Sequence, residues 1–316
     1  MNPLVSIIIP VYNKAAFVRE TLDSALAQTY PHIELVLIND GSTDGSLAIL
    51  EEFQSKFPDK IILIDQVNGG VSKATNAGIQ ASSGEYMQFL DADDLLSPDK
   101  IENQISLLKG KPSAVICSCE WVNFNKNTKH FSRVHYGVFQ DFDSGINWLL
   151  RAWNHQEMMA DSSWMTHRSL IENAGPWNET LIINQDGEFF SRVLLQANEV
   201  LYEPQGKVYY RQPGLSNVSQ KKSEKAFTSL LNSFQAYERN ILIVEDTLTI
   251  RKALKKVYQK FIYDSFPEYP HLIVKAEGFM KALHVPEKTH IGGPKFQQLS
   301  KIVGFKNALR LKRFMG

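Results

Sequence analysis

Four apolar runs dominate the first ninety or so residues, and each closes on polar or acidic side chains. They lie at Leu4–Asn13, Glu34–Asn39, Lys60–Asp65 and Tyr86–Leu90. None shows a clean alternation of apolar and polar residues, which is the pattern of strands buried on both faces. Helical spacing fills the gaps. Val18, Leu22, Ala25 and Leu26 share a face within Lys14–Gln28, and Leu47, Leu50 and Phe53 do so after the turn Gly41–Ser46. Val71–Ala81 and Pro98–Leu108 read as further helices, and Ser113–Cys119 as a fifth strand. Strand–helix alternation of this kind predicts an α/β fold with a mainly parallel sheet and helices on both faces. Such sheets bind ligands at the carboxyl ends of their strands. Asp40 and the group Asp91, Asp93, Asp94 fall at those ends.

The acidic group is the strongest chemical signal. Three carboxylates within four positions repel one another, and a divalent cation removes that cost. Oxygen ligands suit Mn2+ or Mg2+, whose shell is often completed by substrate phosphates. The other reading is a solvated acidic turn in which Asp94 or Ser97 caps the next helix.

Beyond Glu120 the pattern loosens. Residues 121–142 are polar and aromatic without a period. Gly145–Trp153, Arg168–Asn173 and Gln185–Ala197 read as helices, Ser162–Met165 and Val200–Arg211 as strands, with Pro213-Gly214 ending the last. From Ser223 the chain is helical, with breaks near Glu245, Pro267–Pro270 and Gly292–Pro294. The expected organisation is a regular α/β part at 1–120, a looser part at 121–220 and a helical region at 221–316. A 43% hydrophobic content supports a sizeable core, and zero formal net charge gives no global reason to expect a nucleic acid partner. Cys117 and Cys119 read as reduced packing residues. Met1-Asn2-Pro3-Leu4 lacks the basic start and apolar core of a signal peptide, so a cytoplasmic location is expected. After Glu287 there is no acidic residue but seven basic ones, interleaved with Ile302, Val303, Phe305, Leu309, Leu311 and Phe314. That tail fits a peripheral contact with the inner face of the cell membrane, or a helix packed on the body with solvated lysines.

SIIIPVYN at Ser6–Asn13, NDGSTDGS at Asn39–Ser46, NGGVSKATNAGI at Asn68–Ile79 and FLDADD at Phe89–Asp94 occur in that order. Together they resemble the family-2 inverting glycosyltransferases of GT-A fold, over residues 4 to about 215. The resemblance implies nucleotide contacts from Pro10, Tyr12, Asn13, Asp40, Lys73, Asp91 and Ala92, with Asp93 and Asp91 on the metal and Asp94 less defined. It also implies a nucleotide-sugar-binding half at 1–120 and an acceptor-binding half at 121–220, a nucleotide-diphosphate sugar donor, UDP-linked, and a glycan or lipid-linked glycan acceptor. The residues themselves support parts of this. An aspartate can accept from an imide N–H, or simply shape its own turn. A lysine beside free helix N–H groups suits a diphosphate, or is merely solvated. An inverting transfer needs a base on the far side of the sugar. Asp186 in NQDGEFFSR is the choice and Glu188 the alternative; Asp186 also fits a helix cap, and Arg192 could pair with it or reach phosphate. Two departures stand out: Gln185 replaces the first acid of the family's pair, and Gln212 stands where many relatives have histidine. Arg211 could neutralise the diphosphate instead. Competing readings are a dinucleotide oxidoreductase, which lacks its glycine fingerprint after the first strand, and a non-catalytic nucleotide-sugar-binding module.

Overall fold

The computed structural model describes residues 2–212 and 223–315. Its centre is a five-stranded sheet in the order β3-β2-β1-β4-β8, built from β1 (Val5–Val11), β2 (Ile33–Asp40), β3 (Ile61–Gln66), β4 (Tyr86–Phe89) and β8 (Thr166–His167). The first four run parallel, with Ile8 opposite both Val36 and Phe89. Only β8 is antiparallel, pairing Tyr86 with His167. The apolar runs behave as expected: β1 and β2 are buried almost throughout, and only the edge strand β3 is half open.

Helices α1 (Val18–Leu26), α2 (Ser46–Lys56), α3 (Val71–Ala81) and α4 (Lys100–Leu108) fill the connections. Helix α3 sits close on the sheet because Gly78 has no side chain. A Cβ there would lie 2.5 Å from Ile8 Cγ2 and 2.7 Å from Ile38 Cδ1. Lys100 of α4 is fully buried, donates to Gln88 Oε1, and is pushed down to about 8 by that burial.

A second sheet, ordered β5-β9-β6-β7, uses β5 (Leu95–Leu96), β9 (Glu199–Arg211), β6 (Val115–Phe124) and β7 (Phe131–Arg133). The fifth strand foreseen at Ser113–Cys119 therefore joins this sheet, and it runs on to Phe124. β8 already occupies the free edge of β4. One backbone pair, Cys117 with Met165, links the two sheets at 2.8 and 3.2 Å. Residues 162–165 form no strand of their own. Asp161–Ser163 is a 3₁₀ turn in which Asp161 Oδ1 accepts from Ser162 N at 2.7 Å. That local bond competes with strand pairing.

Helices α5 (Gly145–His155), α6 (Arg168–Ala174) and α7 (Gln185–Leu194) complete this half, and Phe189 and Phe190 of α7 pack on Phe89 of the central sheet. The C-terminal region consists of α8 (Glu224–Val244), α9 (Leu248–Ser265), α10 (Pro270–Ala282), α11 (Pro294–Val303) and α12 (Phe305–Met315). The tail is two helices rather than one, divided at Gly304, whose φ of 82° suits glycine. One contiguous apolar cluster runs from Val5 to Leu309. Among the described residues no helix is long and apolar enough to cross a membrane. Pro213-Gly214, expected to end the last strand, lies outside the described residues.

Candidate active site

The loops after β1 and β2 are bonded into one framework. Asn13 N donates to Ser42 Oγ at 3.0 Å, and Thr43 N donates back to Asn13 Oδ1 at 2.8 Å. Lys14 N donates to Ser46 Oγ at 2.8 Å and Ala15 N to Asp44 Oδ2 at 3.0 Å. These bonds hold Asn13 at a φ of 53°, a left-handed geometry that asparagine tolerates. Pro10 is partly buried at the end of β1, while the Tyr12 side chain stays 49% exposed. An exposed flat ring on a fixed loop is suited to stack on a base.

Asp40 is only 2% exposed and organises the next loop. Its Oδ1 accepts from Gln66 Nε2 at 2.8 Å and Gly69 N at 2.9 Å. Its Oδ2 accepts from Gly70 N at 2.8 Å and Asn68 Nδ2 at 3.1 Å. Four donors match the acceptor capacity of a carboxylate. They fix the entrance to α3, where Lys73 lies exposed in the first turn. Gly69 leaves room for that lysine's stem, since a Cβ there would stand 2.3 Å from Lys73 Cδ. Asn76 is a packing residue: it donates to Trp177 O at 3.0 Å and accepts from Trp177 N at 2.8 Å.

The acidic turn follows β4. Ala92 is buried, Asp93 pairs with Lys14 Nζ at 2.5 Å, and Asp94 Oδ1 accepts from Arg211 N at 2.8 Å. Asp94 Oδ2 is buried with no partner among the described residues. Neither Asp94 nor Ser97 caps α4; Asp99 holds that position. Arg211 does not present its guanidinium to the site. It lies between the rings of Phe17 and Phe124, at 4.8 and 4.4 Å from their centres. Its nitrogens donate to Asp93 O, Asn125 O and Glu20 Oε2 at 2.8, 2.9 and 2.8 Å. The residue clamps the turn that carries the carboxylates. Gln212 is exposed, with its N–H on Phe124 O at 2.8 Å.

Asp186 lies in the first turn of α7, but Asn184 occupies the cap, so the capping role is not taken by Asp186. Asn184 Nδ2 donates to Ser233 Oγ and Tyr237 Oη of α8, each at 2.8 Å. Gly187 permits this approach, because a Cβ there would meet Tyr237 Oη at 2.4 Å. Glu188 is buried and bound to Arg192 at 2.9 Å. Arg192 also donates to the carbonyls of Ala174, Gly175 and Pro176, so it pairs with Glu188 and not with Asp186. Gln185 Oε1 is buried without a partner among the described residues.

The fold brings Asp91, Asp93, Asp94 and Asp186 together and adds Asp161, which no motif marked. The charge of Asp161 is the largest influence raising the Asp91 carboxyl well above its usual range, followed by burial and then Asp94, Asp93 and Asp186. Burial also raises Asp94, against an opposing pull from the Arg211 N–H. Burial, then repulsion from Asp186, lifts Asp161 to about 7. Burial raises Asp186 as well, opposed by the backbone N–H groups of Gly187 and Asp186. The sequence signal for Asp161 was slight: an aspartate before two serines, a turn composition, in the run Met158–Trp164. Among the described residues no three His, Cys, Asp or Glu side chains are arranged to hold a metal by themselves. Crowded hard-oxygen donors of one sign nevertheless fit a divalent cation whose remaining ligands are phosphates.

Residues 6–174 match the family model described as glycosyl transferase family 2. An uncharacterized glycosyltransferase of Rickettsia typhi is 44% identical over 133 residues, which is 41% of this chain and 41% of that protein. The match therefore spans about two fifths of the relative's length. The S. aureus TarS 1–349 structure superposes with a TM-score of 0.70 at 18% identity, covering 99% of this chain and 92% of TarS 1–349. Its complex with UDP-GlcNAc gives 0.64 at 16% identity, over 98% and 91%. Mannosyltransferase PcManGT of Pyrobaculum calidifontis, in complex with GDP-Man and Mn2+, gives 0.55 at 20% identity, over 99% and 88%. These likenesses show a shared fold.

Proposed function

The chain belongs to glycosyl transferase family 2, and from that premise we propose that it moves a sugar from a UDP-sugar to an acceptor hydroxyl, with inversion, in a single displacement. The acceptor is a glycan or a lipid-linked glycan. One observation carries the reading: Asp91, Asp93 and Asp94 at the end of β4 share a site with Asp186 of α7. A donor-side acidic turn and an acceptor-side base are the two halves that such a displacement requires.

Asp186 serves as the base. Its carboxyl is raised, so it holds a proton more readily near neutral pH than an ordinary aspartate does. Glu188 is the poorer choice because Arg192 occupies both of its carboxylate oxygens. Tyr12 and Asn13 receive the base of the nucleotide on their fixed loop. Asp40 reaches the base only if Gln66 or Asn68 releases one of its oxygens. Lys73, beside the exposed start of α3, meets the diphosphate. Asp93 and Asp91 would hold Mn2+ or Mg2+, which when bound neutralises charge growing on the leaving diphosphate. The UDP-GlcNAc complex of TarS 1–349 and the Mn2+ complex of PcManGT support the donor class and the cation.

The test is release of UDP from a panel of UDP-sugars by the full chain, with Mn2+ and with chelator. Turnover that needs the cation supports the reading. Tight nucleotide binding without any turnover would favour a binding module instead, the reading that Gln185 and Gln212 suggest.

A further inference from the structure

Helices α11 and α12 share one layout. In α11, Phe296, Leu299, Ser300 and Val303 turn inward, while Lys295, Gln298, Lys301 and Ile302 stay exposed. Past Gly304 the pattern repeats: Phe305, Ala308 and Leu309 face in, and Lys306, Arg310, Leu311 and Arg313 face out. Spacings of three and four place each set on its own side of its helix.

The inward sides have found their partners. The Phe296 ring meets that of Tyr263 in α9 at 4.8 Å and that of Phe305 at 6.0 Å. Lys312 Nζ lies 3.8 Å from the Tyr263 ring centre, and from the outward set Lys306 reaches back to Glu277 at 2.6 Å. The tail is thus fixed to the body, and packing explains only half of its side chains. The outward half is basic and holds two aliphatic residues in water, Ile302 at 83% exposure and Leu311 at 40%.

Charge along the chain points the same way. The whole protein is neutral, yet seven basic residues and no acidic one follow Glu287, so everything before carries the matching acidic excess. A surface segment that carries several basic residues and no acidic one of its own is drawn to an anionic surface. Exposed aliphatic groups among the cations suit the boundary between lipid headgroups and acyl chains, and have no counterpart on a phosphodiester backbone.

We propose that the outward faces of α11 and α12 rest on an anionic lipid bilayer, with Ile302 and Leu311 entering the headgroup boundary and Lys301, Arg310 and Arg313 meeting lipid phosphates. The inference does not depend on the transferase reading.

The test is co-sedimentation of the full chain with phosphatidylglycerol-rich vesicles and with pure phosphatidylcholine vesicles. Binding is expected only to the former, and salt near ~1 M should release it. Each basic residue near an anionic surface contributes ~1 kcal/mol, so the triple variant Lys301→Gln, Arg310→Gln, Arg313→Gln should bind about a hundredfold more weakly. Ile302→Asp should cost about tenfold. Circular dichroism confirms that the variants fold, and the salt response of the unaltered chain decides the matter if they do not. No binding, equal binding to neutral vesicles, or salt-insensitive binding overturns the proposal. So does a folded triple variant that binds as well as the parent, or a chain that ignores vesicles but shifts a DNA oligonucleotide.

Discussion

Two carboxylates singled out by the sequence motifs, Asp40 and Asp186, live in contrasting surroundings. Asp40 accepts four hydrogen bonds, from Gln66, Asn68, Gly69 and Gly70. Asp186 accepts none from a side chain among the described residues, has only backbone N–H groups to draw its carboxyl down, and has Asp161 as a like-charged neighbour. The loop around Asp40 is thereby held in shape by the chain's own hydrogen bonds. The carboxyls of Asp91, Asp161 and Asp186 instead repel one another and gain by binding a cation or a proton. The lesson is that a motif aspartate can be architectural while a less conspicuous one is chemically poised.

That contrast can be broken by substitution. The largest effect should come from Asp186→Asn: if Asp186 is the base, kcat falls by about a thousandfold while UDP affinity changes little. Full activity in this variant would remove Asp186 from its role. Next, Asp40→Ala should lower unfolding free energy by about 3 kcal/mol, because Gly69 N and Gly70 N lose their acceptors. Urea unfolding of both variants sharpens the comparison, since Asp186→Asn should leave stability unchanged or raise it.

A smaller effect is set by pH. Asp161 is raised to about 7 in the folded protein, from an ordinary value of 3.8. Between those values the folded chain binds a proton that the unfolded chain has lost. Stability of the cation-free protein should therefore fall as pH rises from 5 to about 7, and level off above. The lowered carboxyls of Glu34, Asp44 and Glu52 titrate below this window and do not reverse the slope. Urea midpoints measured in chelator should show this trend, and Asp161→Asn should reduce it, with the raised carboxyls of Asp91, Asp94 and Asp186 supplying the remainder. The smallest effect is expected for Lys73→Ala, with UDP binding weaker by about tenfold in titration calorimetry and no loss of stability.

How much of this was legible in sequence follows from contact range. The strands β1 to β4 could be read because doubly buried parallel strands leave unbroken apolar runs, and their polar ends marked Asp40 and Asp91–Asp94. The second sheet could be read only in part: its long strands β6 and β9 were visible as runs at Ser113–Cys119 and Val200–Arg211, but their pairing with each other was not. β5 of that sheet and β8 of the central one are two residues each, too short for any period, and β5 pairs Leu95 with Tyr209, far along the chain. Arg211 looked like a cation for phosphate because its true partners, Asp93 O and Glu20, are 118 and 191 positions away. Asp161 was invisible for the same reason: its charge matters only once the fold sets it beside Asp91 and Asp186.

The most direct test of the central claim is calorimetric titration of UDP into the full chain and into Asp93→Asn, each with Mn2+ and with chelator. UDP should bind the parent tightly only with Mn2+, and Asp93→Asn should lose that cation-dependent gain. Equal UDP affinity in chelator, or an Asp93→Asn chain that responds to Mn2+ as the parent does, would contradict it.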